Sequence, residues 1–309
     1  MSITLCMVVR DEAADLEECL KSVLPYVDEV LIGDTGSTDQ TPDIIRAMCS
    51  VEPIAIELHP DNCYSLTPAR NSVYERVKTD WILYLDADER LTRSGGSALR
   101  RAIQNAIGDV GGFFGSWNTL GADGSSFEDY KLFMFRRGLR KRGLAHANVQ
   151  LDLRQKGQVA QWLDGLQVDH RPRTDRLPAK RSLYRNRLQR AIELEPGWLR
   201  HNWFAGYMDY QDEFFDNAIR HIQPLIVSCS RLFPVEGLNA RMIFIDMLAR
   251  CGNNEEANAA VQEALAFYET VRHDFEVLIN FRMHSWLLEA EQKLLEGTGA
   301  SIRAYAFSS

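Results

Sequence analysis

Trp81-Ile82-Leu83-Tyr84-Leu85-Asp86-Ala87-Asp88-Glu89 is an apolar run that stops abruptly at two carboxylates separated by one small residue. A run this continuously apolar reads as a strand buried on both faces, the pattern of parallel sheets covered by helices. Open α/β sheets hold ligands in the crevice beyond the carboxyl ends of their strands, so Asp86 and Asp88 are expected in a cleft. In an extended chain residues i and i+2 share a side, which would aim both carboxylates at one hard cation with oxygen-rich ligation. The chemistry suggested is a divalent metal holding a phosphate.

Upstream, residues 3–9 form a short β-rich run, Asp11 is a candidate helix N-cap, and Leu16, Cys19, Leu20, Val23 and Leu24 follow at helical spacing. Val27 to Gly33 reads as a second strand ending at Asp34-Thr-Gly-Ser-Thr-Asp39, and Thr41-Pro42-Asp43 starts a helix with proline near its first position. Ile54 to His59 predicts a third strand, Pro68 to Val77 a helix, and Trp81 to Leu85 a fourth strand. Strands alternating with helices predict a mainly parallel sheet with right-handed crossovers.

From about Gly111 the pattern changes. Gly112 to Asn118, Tyr130 to Arg136 and Val149 to Leu153 are short strand-like segments separated by glycine and polar residues, which predicts antiparallel additions to the sheet. The basic stretch Arg136-Arg-Gly-Leu-Arg-Lys-Arg142 reads either as a solvated turn or as an attractor of phosphate or an acidic acceptor. Arg171 to Pro178 resembles a linker, and the remainder has helical spacing. Two stretches, Gly206 to Ala218 and Ile245 to Ala257, each carry a helix, a polar turn and a small residue in the next helix, 39 positions apart. That is close to the roughly 34-residue tetratricopeptide period, so residues 176–309 are expected to form an all-α tetratricopeptide-like domain. An ordinary helical bundle that mimics the period is the plainer alternative.

The chain of 309 residues is long enough for two domains, and 45% hydrophobic content is normal for a globular protein. A net charge of -8 argues against broad nucleic-acid or acidic-membrane binding. The six cysteines contain no CxxC pair and read as reduced thiols, which together with the lack of a basic leader or a membrane-spanning run points to a cytoplasmic protein.

Four motifs in order, Val8-Val9-Arg10-Asp11-Glu12, Ile32-Gly33-Asp34-Thr-Gly36-Ser37-Thr-Asp39-Gln-Thr41, Ala69-Arg70-Asn71 and Trp81 to Glu89, resemble family 2 glycosyltransferases of GT-A fold. The likeness covers roughly residues 1–175. The helical segment behind it resembles that of bacterial members fused to tetratricopeptide segments, including peptide and flagellin glycosyltransferases. The resemblance implies an α/β GT-A domain, Rossmann-like, over 1–175 and a nucleotide-diphosphate sugar donor, expected to be a UDP-hexose.

It also implies roles for individual residues. Arg10, Asp11, Glu12 and Asp34 would lie against the nucleotide base and ribose, since carboxylates accept well from a uracil N–H or ribose hydroxyls. Asp11 could instead cap a helix, and Asp34 and Asp39 could close turns; ligand contact is the reading taken for Asp34 and turn capping for Asp39. Arg70 would lie near the nucleotide, or form a salt bridge with a strand-end carboxylate. Asp88 would ligate Mn²⁺ or Mg²⁺ directly, Asp86 would bind the ribose or reach the metal through water, and His170 would supply a third ligand. Asp129, just before the strand that starts at Tyr130, is the first candidate for general base in an inverting transfer, with Glu128 and His146 as competitors. Ala147 stands where relatives carry the glutamate of a His-Glu pair, which weakens His146, and Phe133 replaces an arginine common in relatives.

The helical segment is expected to present a protein or peptide acceptor, and it also offers a surface for homo-oligomerisation. A lipopolysaccharide or lipid-linked acceptor is the enzymatic alternative. A non-catalytic scaffold with a vestigial GT-A domain is the alternative of another class.

Overall fold

The computed structural model describes residues 1–58, 65–106, 108–121, 124–173, 177–228, 231–280 and 282–304, with side chains omitted at 177–180. The chain divides into two compact units, Met1–Lys180 and Arg181–Ser309. The expected boundary between 175 and 176 lies outside the described residues.

The first unit is built on an eight-stranded sheet: β1 (Ile3–Val9), β2 (Glu29–Asp34), β3 (Ile54–Ala55), β4 (Trp81–Tyr84), β5 (Glu89–Leu91), β6 (Val110–Leu120), β7 (Ser126–Arg136) and β8 (Val159–His170). Their spatial order is β3-β2-β1-β4-β7-β6-β8-β5. The first four run parallel, β7 joins antiparallel to β4, β6 pairs antiparallel with β7 and parallel with β8, and β5 closes the far edge antiparallel to β8. This is the parallel half with antiparallel additions that the sequence predicts. β1 is buried at every position but Val8, as a strand covered on both faces must be.

Helices α1 (Ala13–Val23), α2 (Thr41–Cys49), α3 (Thr67–Tyr74), α4 (Arg93–Asn105) and α5 (Gln150–Gln155) accompany the sheet. In α1 the residues at helical spacing, Leu16, Cys19, Leu20 and Val23, are the buried ones and pack with Ile3, Leu5 and Met7 of β1. Two expectations fail locally, and one helix lies where none is expected. The third strand shrinks to Ile54–Ala55, and its predicted end at His59 lies outside the described residues. Val149 to Leu153 enters α5 instead of forming a strand, because Val149 and Leu153, four apart, are buried together. α4 carries no strand-like alternation and was not anticipated, although the Thr92 hydroxyl caps it by accepting from Gly95 N at 3.1 Å.

The pairing of β6 with β8 is interrupted between Phe114 and Ser116, where the partner register jumps from Trp162 to Gln167. Gly115 sits in this gap, and a Cβ there would stand 2.5 Å from the Leu166 carbonyl oxygen. Only glycine allows so close a backbone approach. Gly115→Ala is therefore expected to destabilise the protein by about 1–3 kcal/mol, read as a lower thermal midpoint.

The second unit is helical: α6 (Leu177–Leu194), α7 (Arg200–Gln211), α8 (Phe215–Ser228), α9 (Pro234–Arg250), α10 (Asn254–Val271), α11 (Phe275–Ile279) and α12 (Arg282–Leu295). The two stretches singled out for their spacing span the α7–α8 and α9–α10 turns, and their small residues Ala218 and Ala257 are fully buried. α9 is buried nearly all round. One side packs on Trp203, Tyr207 and Ile222, and the other on Val261, Phe267 and Trp286.

Candidate active site

Strands β1, β2 and β4 run parallel and end along one edge of the sheet, so the segments after them, residues 10–12, 34–39 and 85–88, come together by topology. After β2, Gly36 takes a left-handed conformation with φ +97°, which permits the tight turn. Asp34 Oδ1 accepts from Gly36 N at 3.1 Å, Ser37 N at 2.9 Å and Ser37 Oγ at 2.8 Å. Asp11 Oδ1 accepts from Thr38 N at 2.7 Å, which ties the first loop to the second. Asp11 does not cap α1. Glu12 occupies that position, and Asp39 reaches over to accept from Ala13 N at 3.1 Å and from Thr41 N at 2.9 Å. Glu12 N donates to Thr41 Oγ1 at 2.9 Å, and Arg10 lies at the exposed rim, its Nε 3.9 Å from Asp11 Oδ2.

Strand β4 ends at Tyr84, before either carboxylate of the Asp-Ala-Asp motif. Ala87 and Asp88 lie in a turn closed by Glu89 N donating to Asp86 O at 3.1 Å. The extended-chain expectation that Asp86 and Asp88 share a side therefore fails, and the physical reason is Glu89. Its side chain, 1% exposed, accepts from Asp86 N at 2.9 Å and from Lys131 Nζ at 2.6 Å, drawing the chain into the turn.

The two aspartates then face different partners. Asp86 accepts from the Tyr84 hydroxyl at 2.8 Å on both oxygens, from Arg70 Nη2 at 3.1 Å and from Lys131 Nζ at 3.4 Å. Desolvation opposes its ionisation, but Lys131, Arg70 and Lys141 outweigh it and hold the carboxyl far below the usual carboxylate range. Desolvation pushes Glu89 up, and Lys131 is raised because Glu89 and Asp86 prevail over its own desolvation. Arg70, on α3, thus makes the salt bridge with a strand-end carboxylate.

Asp88 Oδ2 lies 3.4 Å from His170 Nε2 at the end of β8. His170 stacks on Trp117 with ring centroids 4.5 Å apart, and its Nδ1 is 3.0 Å from Thr119 Oγ1. In the tautomer that donates from Nδ1 to Thr119, Nε2 would be left with its lone pair toward Asp88, the arrangement a metal-ligating imidazole needs. Among the described residues no three histidine, cysteine or acidic side chains form a cluster able to hold a metal by themselves. Asp88 and His170 are the two side chains that would hold a Mn²⁺ or Mg²⁺ here, with the rest of its ligands coming from outside the protein. Asp86, surrounded by cations, does not fit as a direct ligand.

Asp129 lies within β7, opposite Trp117, and not in the loop before the strand. Strand alternation places it on the same face as Lys131. Glu128 points to the other face and accepts from Ser116 Oγ at 2.8 Å. His146 has φ +47° in the loop closed by the Arg142–Asn148 bridge. Phe133 is fully buried.

Sequence reasoning missed Tyr84, Lys131, Lys141 and the inward role of Glu89. One signal was present, since Lys131 breaks the otherwise apolar run Tyr130–Phe135; the other appears only in the fold, where Asn71 beside Arg70 clamps the Lys141 backbone, with Lys141 N donating to Asn71 Oδ1 at 2.9 Å. The basic stretch is only partly solvated. Arg136 lies over the Trp81 ring at 4.5 Å and donates to Val110 O at 2.8 Å, and Lys141 is 8% exposed.

Residues 4–146 match the model of glycosyl transferase family 2. The chain is 45% identical over 101 residues to a TPR repeat-containing protein of Synechococcus elongatus, covering 33% of this chain and 24% of that protein. It is 34% identical over 88 residues to the glycosyltransferase SunS of Bacillus subtilis, covering 28% of this chain and 20% of that one. The chain thus spans about a quarter or less of the length of these curated relatives. Among solved structures it is similar to Staphylococcus aureus TarS 1–349 in complex with UDP, at 13% identity and a TM-score of 0.45, over 96% of this chain and 92% of that one. Residues 4–146, just under half of the chain, thus form a glycosyl transferase family 2 region built on the α/β sheet.

Proposed function

We propose that the protein is a metal-dependent, inverting glycosyltransferase that moves a hexose from a UDP-sugar to a protein or peptide acceptor. The observation that carries this reading is the strand-end cleft in which the Asp88–His170 pair stands beside the cationic side chains of Arg70 and Lys131. One carboxylate–imidazole pair for a hard cation next to fixed positive charge suits a diphosphate, which needs both charge neutralisation and orientation.

In this reading Asp34 keeps one oxygen in its turn and offers the other to a ribose hydroxyl, and Asp11, with Arg10 and Glu12 beside it, lines the base side. Asp88 and His170 would hold Mn²⁺ or Mg²⁺, and the chemistry that such an ion would supply is Lewis-acid stabilisation of a leaving diphosphate. Asp86 fixes Arg70 and Lys131 at the phosphates. Asp129 takes the proton of the acceptor hydroxyl or thiol as that atom attacks the anomeric carbon. The bond to the diphosphate breaks on the opposite side, so the configuration inverts and UDP leaves.

The helical unit presents the acceptor, a use suited to stacked helix pairs. No helix among the described residues is long and apolar enough to cross a membrane. Cys6, Cys19, Cys49 and Cys251 are free thiols, which favours a cytoplasmic setting.

UDP with Mn²⁺ is expected to raise the thermal midpoint. At about 100 times the dissociation constant, ligand linkage contributes about 2.7 kcal/mol, which corresponds to several degrees for domains of this size. No shift with UDP, GDP or dTDP in the presence of metal would contradict the reading. For the acceptor, mass spectrometry of candidate peptides incubated with UDP-hexose is expected to show one added hexose. Labelling confined to lipid-linked material would redirect the acceptor assignment.

A further inference from the structure

Three cations converge on the ring of Tyr84. The Arg70 guanidinium lies 5.0 Å from the ring centroid, Lys131 Nζ 4.4 Å and Lys141 Nζ 3.7 Å. Arg70 is answered by Asp86, and Lys131 by Asp86 and Glu89. Lys141 is different: the residue is 8% exposed, and among the described residues its ammonium makes no hydrogen bond or ion pair, only the contact with the Tyr84 face.

A lysine normally lets its flexible stem carry the ammonium to water. Here the backbone is fixed. Lys141 N donates to Asn71 Oδ1 at 2.9 Å, Asn71 Nδ2 donates to Lys141 O at 3.0 Å, and Thr67 Oγ1 donates to Gly143 O at 2.8 Å. Desolvation and then the charges of Arg70 and Lys131 pull the Lys141 ammonium well below the ordinary lysine range. An enclosed cation without a counter-charge is costly, and the fold holds this one in place beside two others. With Lys141 protonated and both carboxyls ionised, the cluster sets Asp86 and Glu89 against Arg70, Lys131 and Lys141, and the third cation is the one an incoming anion would answer.

We propose that Lys141 is an anion anchor of the donor cleft, its ammonium taking an oxygen of the sugar-nucleotide diphosphate, with Asn71 as the residue that positions it. The proposal rests on the donor reading given above and adds to it. The Ala69-Arg70-Asn71 segment then has two outputs: Arg70 meets Asp86 directly, and Asn71 sets Lys141 over the Tyr84 ring. The phosphate is met by fixed protein charge as well as by metal.

Calorimetric titration of UDP and of uridine into the full chain, with Mg²⁺ and again with EDTA, tests this in wild type, Lys141→Met and Lys141→Arg. Lys141→Met is expected to weaken UDP about 10- to 100-fold, the range for a hydrogen bond to a charged group, under both metal conditions. Uridine affinity stays unchanged, and Lys141→Arg recovers most of the loss. A folded Lys141→Met protein with wild-type UDP affinity would overturn the assignment and leave the donor reading standing. Wild-type protein that binds no UDP would overturn the donor reading, and this assignment with it. If Lys141→Met does not fold, Asn71→Ser is expected to weaken UDP and spare uridine, and unchanged UDP affinity in that variant would contradict the proposal.

Discussion

Asp88→Ala is expected to lower UDP-hexose turnover by about 10²- to 10³-fold with almost no change in thermal midpoint. Asp88 lies in a surface turn with about a quarter of its side chain exposed, and the partner it faces is His170, so its removal leaves no buried charge uncompensated. The turn itself is closed by the Asp86 carbonyl and the Glu89 carboxylate, and neither depends on the Asp88 side chain. The effect should therefore fall on chemistry. On the proposed reading, in which Asp88 is one of two protein ligands for a divalent ion, its loss forfeits several kcal/mol of transition-state charge stabilisation, and about 3–4 kcal/mol corresponds to the stated factor. Steady-state rates of hydrolysis in wild type and variant, with the two melting curves, check the prediction. A variant within threefold of wild type would exclude Asp88 from the site.

The largest effect on stability is expected from Lys131→Met. Lys131 is the counter-charge of Glu89, at 2.6 Å, and a second partner of Asp86 at 3.4 Å. Methionine fills the same space between the rings of Tyr84 and Phe133 but leaves Glu89, 1% exposed, without a cation. Breaking a buried pair from one side costs about 3–5 kcal/mol. Proton uptake sets a ceiling. At pH 7, protonating a carboxyl that ordinarily titrates near 4.5 costs about 3 kcal/mol, since each pH unit is 1.36 kcal/mol, so a loss of about 3 kcal/mol is expected.

The sign with pH follows from linkage. Without Lys131 the folded-state value of Glu89 rises further above its unfolded value, so the folded variant binds the extra proton. The deficit relative to wild type is then fully present near neutrality and shrinks as pH falls toward about 4.5. Chemical denaturation at pH 7 and pH 5 reads this directly. The double variant Lys131→Met/Glu89→Gln should recover most of the stability, because glutamine Oε1 can still accept from Asp86 N. A single variant as stable as wild type at pH 7 would contradict the role assigned to the pair.

The parallel half of the sheet was legible in the sequence because burial on both faces writes itself as continuous apolar runs: Ile3–Val9 and Trp81–Tyr84 are strands almost to the residue. The strand ends located the cleft for the same reason. Side-chain direction beyond a strand end was not legible, because it depends on the turn that follows. Asp86 and Asp88 looked like neighbours on one face until Glu89, from the same motif, folded inward and separated them.

Val149 to Leu153 shows the limit of short patterns. Apolar residues at 149, 151 and 153 satisfy a strand period, while 149 and 153 alone satisfy a helical one, and packing chose the latter. Lys131 and Lys141 escaped notice because their roles arise from partners 40 to 70 positions away in Asp86, Glu89 and Asn71, a pairing that only the β4–β7 contact and the Asn71 clamp create.

The central claim is that this cleft activates a sugar nucleotide. It is tested most directly by release of UDP from UDP-hexose by the wild-type chain without acceptor, measured with Mn²⁺ and after EDTA. UDP release that requires the metal and falls by about 10²-fold or more in Asp88→Ala is the predicted result. Wild-type protein that, with Mn²⁺ or Mg²⁺ present, neither hydrolyses any nucleotide-diphosphate sugar nor is stabilised by any nucleoside diphosphate would contradict it.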